Sequence, residues 1–461
     1  MTIFLRSTVL KFIFPLTLIV VLSFFTNADA YLTFTPRTST SLEFTDNLFL
    51  TEKNKEDDLI TVVSVGFDLG LYESNMGLEL AYDPAYAFYS DFDENDSWRH
   101  NVRLFAWRDL GKNTRLEFID RFLFTEDPLG DTDLIQDDQV IIPGDTTVRS
   151  NRNQYSTNTA ILRLNHQFGL NNSAYAEFLY GILRNDDSDI EDNDSYQPSV
   201  GLTYWFDQTY GLETTGAYTR GTYSQDSNFE ATPTDNFDNW AGSLKLIRVM
   251  AKNFSLYAQY DHAYRKYDGE FNDDYNLYSP SAGFQYSVSR DLQLAFGLGY
   301  FHQNFDEKDN EDGVFGSGNI RKAWNYKKGA ITLVGAAGLD QNDFGAQRLG
   351  VERFVSLKAN AQYSFIKDFV GDIFGNVYYS DPINTDESDG IENQTQYRGG
   401  AGVTYLPLRW MSLNLNYQYA KYDSDVKTIN NLSSETDNYD ENRVTFMVTL
   451  QPSQPFRFNG N

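Results

Sequence analysis

Between Arg290 and Phe301 the chain alternates without a slip: Leu292, Leu294, Phe296, Leu298 and Tyr300 share one parity, and Gln293, Ala295, Gly297 and Gly299 share the other. Successive side chains of a strand point to opposite faces, so this segment reads as a strand with one apolar side. Segments of the same kind recur about twenty times along the chain. A wall with one apolar face, repeated in this way, closes on itself as a transmembrane β-barrel, because in lipid no strand edge can be left unpaired.

The first thirty residues fit that reading. A short basic region (Arg6, Lys11), an apolar run from Phe12 to Phe25 and the exit Ala28-Asp29-Ala30 have the layout of a secretory signal peptide cleaved after Ala30. The mature chain then runs from Tyr31 to Asn461 as one barrel domain, with a short polar periplasmic tail from Gln451 to Asn461. There is no cysteine, which removes disulfides, thiolate metal sites and attached haem. Aromatic residues reach 16%, as expected where girdles of rings mark the two lipid–water boundaries. The expected location is the outer membrane of a Gram-negative cell.

Connections alternate in length. Short ones fall at Glu73-Ser74-Asn75, Gly111-Lys112-Asn113, Gly169 to Asn172, Asp207-Gln208, Ala251-Lys252-Asn253, Ser289-Arg290-Asp291, Lys327-Lys328-Gly329, Lys367-Asp368 and Leu408-Arg409. Long polar ones separate them, including Thr51 to Asp58, Glu126 to Ser150, Asp306 to Gly316 and Asp423 to Asp440. Ten long and nine short connections predict about 20 antiparallel strands (range 18–22), with short periplasmic turns and long extracellular loops. Acids gather in the long loops, as at Asp91, Asp93, Glu94 and Asp96, and they dominate the formal net charge of −28. That balance argues against a nucleic-acid partner. It suits solvated loops that meet lipopolysaccharide, divalent cations or a secretion partner. With few residues before the first strand, any constriction of the lumen must come from loops folded inward. The longest loop, with its apolar patch Val140-Ile141-Ile142-Pro143, is the first candidate.

Parity assigns the lumen. Arg115, Glu117 and Arg121 oppose Leu116, Phe118 and Phe122, with Asp120 breaking the apolar face. Arg163, Asn165 and Gln167 oppose Leu162, Leu164 and Phe168, and His166 is an exception near the turn. Lys358, Asn360 and Gln362 oppose Leu357, Ala359 and Ala361, whereas Asn414, Asn416 and Gln418 oppose Leu413, Leu415 and Tyr417. A charge facing the bilayer centre costs ~2–4 kcal/mol in a barrel, so these polar residues are expected inside, along a solute path.

Little else in the sequence points to chemistry. The four histidines, His100, His166, His262 and His302, are isolated; His262 beside Asp261 and His302 near the Asp306 loop are the catalytic candidates to check. There is no H-E-x-x-H, no G-x-S-x-G and no complete calcium loop. Gly316-Ser317-Gly318 lacks the following Lys-Ser/Thr of a phosphate loop and reads as loop punctuation. No catalytic residue, metal or cofactor is expected.

The stretch Ser41-Leu42-Glu43-Phe44-Thr45-Asp46-Asn47-Leu48-Phe49-Leu50, followed by Asp58-Leu59-Ile60, resembles the first hairpin of a family of outer-membrane β-barrel porins associated with exopolysaccharide biosynthesis and export operons. Thr45, Asp46, Asn47, Leu48, Leu50, Asp58 and Ile60 carry the resemblance. It implies a channel for passage or secretion of polar or anionic saccharides, with the barrel assembly machinery and polysaccharide secretion components as partners. The Asp46-Asn47 pair reads as a strand-end turn. The competing expectations are a surface structural or binding barrel with a closed lumen and, last, an outer-membrane hydrolase.

Overall fold

The computed structural model describes residues 31–128, 151–187, 190–224, 236–269, 272–289, 291–341, 350–383, 391–426 and 438–459. The segment 1–30 and the apolar patch at 140–143 lie outside them. Twenty long strands follow one another: β1 Tyr31–Thr45, β2 Asp58–Glu73, β3 Met76–Tyr89, β4 Ser97–Gly111, β5 Thr114–Thr125, β6 Tyr155–Phe168 and β7 Asn172–Asn185. Next come β8 Asp192–Trp205, β9 Tyr210–Ser224, β10 Phe237–Ala251, β11 Phe254–Tyr267, β12 Tyr275–Ser289, β13 Leu292–Phe305 and β14 Glu311–Tyr326. The wall is completed by β15 Gly329–Gln341, β16 Val351–Ile366, β17 Phe369–Pro382, β18 Ile391–Leu408, β19 Met411–Val426 and β20 Tyr439–Leu450, and a short β21 spans Phe456–Asn459.

Each strand pairs antiparallel with the next, and β1 pairs with β20, so the sheet closes into a 20-strand barrel. Short turns and long connections alternate as the sequence predicts, with both chain ends on the short-turn side. Two boundaries differ. Gly316-Ser317-Gly318 lies inside β14 and not in a loop, with the Gly318 backbone close to Ala295 of β13. β1 also stops at Thr45, earlier than the apolar run to Leu50 suggests, because Asp46–Leu50 leaves the wall.

The closing seam is made in two pieces. Thr38–Thr45 pairs with Arg443–Leu450, and Tyr31–Phe34 pairs with Phe456–Asn459. Between them Pro36 on β1 faces the gap left by Gln451–Pro455, a segment with prolines at both 452 and 455. Proline has no N–H to give to a ladder, so the break falls where donors are missing. The stretch expected as a polar tail therefore contains a wall segment, whose Phe456 and Phe458 are exposed on the outer side.

Register and long-range contacts identify the two faces. Neighbouring strands are roughly 4.8 Å apart, so strands five apart are separated by roughly 24 Å along the wall. Yet Asn239 of β10 donates to Gln341 of β15 at 3.0 Å, and Arg443 of β20 bonds Asp127, just beyond β5, at 2.7 Å. Such contacts are possible only across the interior. The face carrying Asn239 and Arg443 is the lumen, and the other carries exposed Val65, Leu298, Val314, Val355 and Ile373, a surface suited to lipid and not to water. Deleting 456–461 should open the lower seam and reduce the heat-modifiable folded fraction on unheated gels several-fold. Removing residues 427–437 should not.

Candidate functional site

The loop-side mouth of the lumen is built by the segment that leaves the wall after β1. Thr45 donates its hydroxyl to Glu441 of β20 at 2.7 Å, and both oxygens of Asp46 accept from Asn442, one from its backbone N–H and one from its side-chain amide. Asn47 is fully buried; its amide donates to the carbonyls of Thr51 and Asp440, and its Oδ1 accepts from the Thr51 N–H. The chain is thereby turned into the barrel. Leu50 holds a left-handed backbone (φ 51°) and packs with Ala420 and Tyr439, while Leu48 packs on Ile60, Val62, Ala87 and Tyr89, which line the inner face of β2 and β3. Apolar side chains on a lumen wall need a cover, and Leu48 supplies it.

A charged network holds this plug. Arg152, ahead of β6, donates to the Leu48 carbonyl at 2.8 Å and pairs with Asp127 at 3.2 Å. Asp127 also takes both terminal nitrogens of Arg443, which reaches Glu441 at 3.0 Å. Alongside, Arg99 of β4 pairs with Glu126 at 2.6 Å and with Glu43 of β1 at 3.7 Å, and Tyr89 donates to Glu126 at 2.7 Å. Glu126 and Asp127, at the start of the Glu126–Ser150 loop, thus point inward; residues 129–150 of that loop lie outside the described residues, and the apolar part of the seated plug comes from the 46–57 connection. Burial alone would raise the Asp127 carboxyl; Arg443 and Arg152 outweigh it and hold the group well below the usual carboxylate range. Glu126 is likewise lowered, by Arg99 against its own burial.

A second inward fold faces the first. Val351, the first residue of β16, and Ile383, just beyond β17, lie against an apolar patch of Ala263, Tyr275, Leu277, Phe301 and Phe315 on the inner face of β11–β14, beside the Asn239–Gln341 bond.

Of the residues proposed for the solute path, Arg115, Glu117 and Asn165 meet in one network low on the wall, and Arg163 stands in register with Glu117. Arg115 lies over the Trp107 ring at 4.4 Å and pairs with Glu117 at 3.2 Å, and Glu117 accepts from Asn165 at 3.1 Å. Arg163 pairs with Glu177 and lies 5.7 Å from the Tyr175 ring. The same unit recurs where Lys245 lies 5.1 Å from the Tyr257 ring and pairs with Glu213 at 3.0 Å. Trp107 lies so close over Gly77 that a Cβ there would fall 2.8 Å from its ring nitrogen. These ring–cation–acid units brace the short-turn half of the wall.

The remaining path residues stand apart from that network. Arg121 is level with Arg103 across β4 and β5; Gln167 registers with Ser173; Lys358, Asn360 and Gln362 register with Asn376, Phe374 and Asp372. Asn414 donates to Thr404 at 2.9 Å, Asn416 registers with Gly402, and Gln418 lies beside Arg443. By register all twelve share the face of Arg443 and Asn239. Asp120 falls on the opposite face, where Asn158 donates to it at 2.6 Å.

All four histidines also lie on the outer face. His262 and Asp261, adjacent in sequence, point to opposite sides of the wall and cannot act together. His302 pairs with Asp312 at 2.6 Å, and Tyr300 donates to the same carboxylate; His100 meets Tyr82, and His166 meets Thr114. Among the acidic loop residues, Asp96 accepts from the Tyr89 N–H and Asp58 from those of Ser90 and Asp91, so these carboxylates cap turns.

The sequence signals for Arg99, Glu126, Asp127, Arg152 and Arg443 were not visible as a group, since the Asp127–Arg443 contact spans 316 residues. Because the depressed carboxyls stay ionised, the clasp's stabilisation is complete above the unfolded carboxyl value of roughly 4 and is lost as pH falls towards the lower folded values. Bilayer conductance should therefore stay constant from neutral pH down to about that value and rise below it. Asp127→Asn leaves buried Arg152 without its carboxylate and Arg443 with Glu441 alone, a change that costs on the order of 3–5 kcal/mol, and should produce the larger conductance already at neutral pH.

No family model and no curated protein matches the chain. Among solved structures it is similar to a mutant ferric enterobactin receptor from Pseudomonas aeruginosa (9% identity, 94% of this chain and 81% of that one, TM-score 0.49). It is also similar to OccK2 of Pseudomonas aeruginosa in complex with glucuronate (12%, 92% and 98%, TM-score 0.37) and to a BenF-like porin from Pseudomonas fluorescens (10%, 92% and 99%, TM-score 0.36). Similarities this distant say nothing of this chain's function.

Proposed function

We propose that the chain is an outer-membrane pore that passes polar, anionic saccharides through a hydrated lumen whose loop-side mouth is narrowed by the clasp. The observation that carries this reading is a level of basic side chains on the inner face. Arg103 stands eight residues before the end of β4 (111 − 103), Arg121 seven after the start of β5 (121 − 114), and Lys358 eight before the end of β16 (366 − 358). Arg103 and Lys358 have no ion-pair partner among the described residues, unlike Arg115, Arg163 and Lys245 below them. Cations without a fixed carboxylate are the ones available to a passing anion, and such rings tune pores for anions. Asn360, Gln362, Asn414, Asn416 and Gln418 add amides suited to sugar hydroxyls.

The resemblance of residues 41–60 to porins of exopolysaccharide operons supports the saccharide assignment. The two inward folds favour a second reading, a closed surface barrel whose loops bind a partner.

Planar-bilayer recording separates the two. The pore reading expects stable channels with anion preference, and a shift of the reversal potential towards cations in the Arg103→Glu, Lys358→Glu double variant. Absence of conductance in wild type and Asp127→Asn alike would establish the closed barrel. An unchanged reversal potential would remove the basic level from the mechanism.

A further inference from the structure

On the lipid-facing side of β8–β11 the wall is not smooth. A recess of about 780 Å³ opens there, floored by Gly216 and Gly242, which face each other in register, and bounded by Val200, Leu244, Trp240 and His262. A Cβ built on Gly216 would meet no atom within 4 Å, so the floor borders open space. The lining is mainly apolar, but the Nδ1 atom of His262 is buried at its edge with no hydrogen-bond partner. Polar groups are rarely left so, and in lipid no water replaces the missing partner.

The chemistry above the recess has a fixed vertical order. Reading β9, β10 and β11 downward from the loop side, the outer face gives first Arg220, Asp238 and Lys266, then Tyr218, Trp240 and Tyr264, then Gly216, Gly242 and His262. Trp240 lies between Tyr218, tilted against it at 5.4 Å, and Tyr264, stacked on it at 5.6 Å, forming a continuous aromatic shelf. Lys266 is exposed beside it, in register with Asp238 and close enough to Asp268 to lower its carboxyl, and Arg220 pairs with both acids. Charge, then aromatic shelf, then polar edge, then apolar recess is the order of groups in a phosphate-bearing acyl lipid.

We propose that this recess is a specific site for one acyl chain of a phosphorylated glycolipid of the loop-side leaflet. Lys266 meets the phosphate, the aromatic shelf covers the junction of sugar and chain, and His262 Nδ1 meets the hydroxyl or ester of the chain that enters between Gly216 and Gly242. A second copy of this chain would have to offer a ridge that fits the recess. The proposal concerns the outer wall and stands whether or not the lumen conducts.

Native mass spectrometry of the full-length, refolded barrel tests it, with diphosphorylated lipid A and phosphatidylethanolamine as probes and heat-modifiability as the check on folding. Wild type should retain one lipid A in preference to phosphatidylethanolamine. Gly216→Leu, which fills the recess, should reduce that retention about tenfold, close to 1.4 kcal/mol, and Lys266→Glu should weaken lipid A alone. Gly216→Ala, which the wall accommodates, should give a smaller loss in the same direction and keeps the test valid if the leucine variant does not fold. Equal retention of both lipids, or lipid A retention unchanged in Gly216→Leu and Gly216→Ala, would overturn the site. A wild-type dimer that Gly216→Leu dissociates would assign the recess to a second copy instead.

Discussion

Every backbone N–H and C=O of a wall in lipid has to find its partner within the wall, and this requirement shapes the barrel more than any side chain does. It forces closure of β1 on β20 and β21, the pairings with the largest separation in sequence, and so concentrates vulnerability at one seam. There the ladder is interrupted opposite Pro36, and the chain secures it at both ends. β21 re-pairs with the beginning of β1, and Thr45, Asp46 and Asn47 bind the beginning of β20 through Glu441, Asn442 and Asp440. The same three residues turn the chain into the lumen, so seam closure and narrowing of the mouth are one structural event.

The plug then depends on two kinds of burial with different consequences. Leu48 and Leu50 hide apolar patches of the inner wall, a non-directional gain. Arg99, Arg152 and Arg443 with Glu126, Asp127 and Glu441 fix its position, because a buried ion pair costs desolvation and repays it only in good geometry. Lower in the barrel the cations are used differently. Arg115, Arg163 and Lys245 are fastened to acids and rings and belong to the wall, whereas Arg103 and Lys358 on the same face have no ion-pair partner among the described residues.

Parity was legible in the sequence because the period of a strand is two and one face of this wall must be apolar; Leu292 to Tyr300 and Met411 to Tyr419 announce themselves in that way. Turn chemistry gave the count of strands for a similar reason. The clasp was legible only in part. Thr45-Asp46-Asn47 reads as a strand end, but its partners lie nearly four hundred residues away, and no local pattern encodes such contacts. β21 escaped notice because four residues between prolines and the chain end are too few to show a period. The recess on the outer wall was hidden for the opposite reason: Gly216 and Gly242 are unremarkable on their own strands and form a floor only once β9 and β10 are in register.

The central claim is that the face bearing Lys358 lines water connected to bulk, while the face bearing Leu357 lines lipid. The absence of native cysteine allows a direct measurement. Lys358→Cys and Leu357→Cys, each reconstituted in liposomes, are exposed to a charged, membrane-impermeant thiol reagent. The account predicts rapid labelling at 358 and protection at 357; protection at 358 from both sides of the membrane, or labelling at 357 in preference, would contradict it.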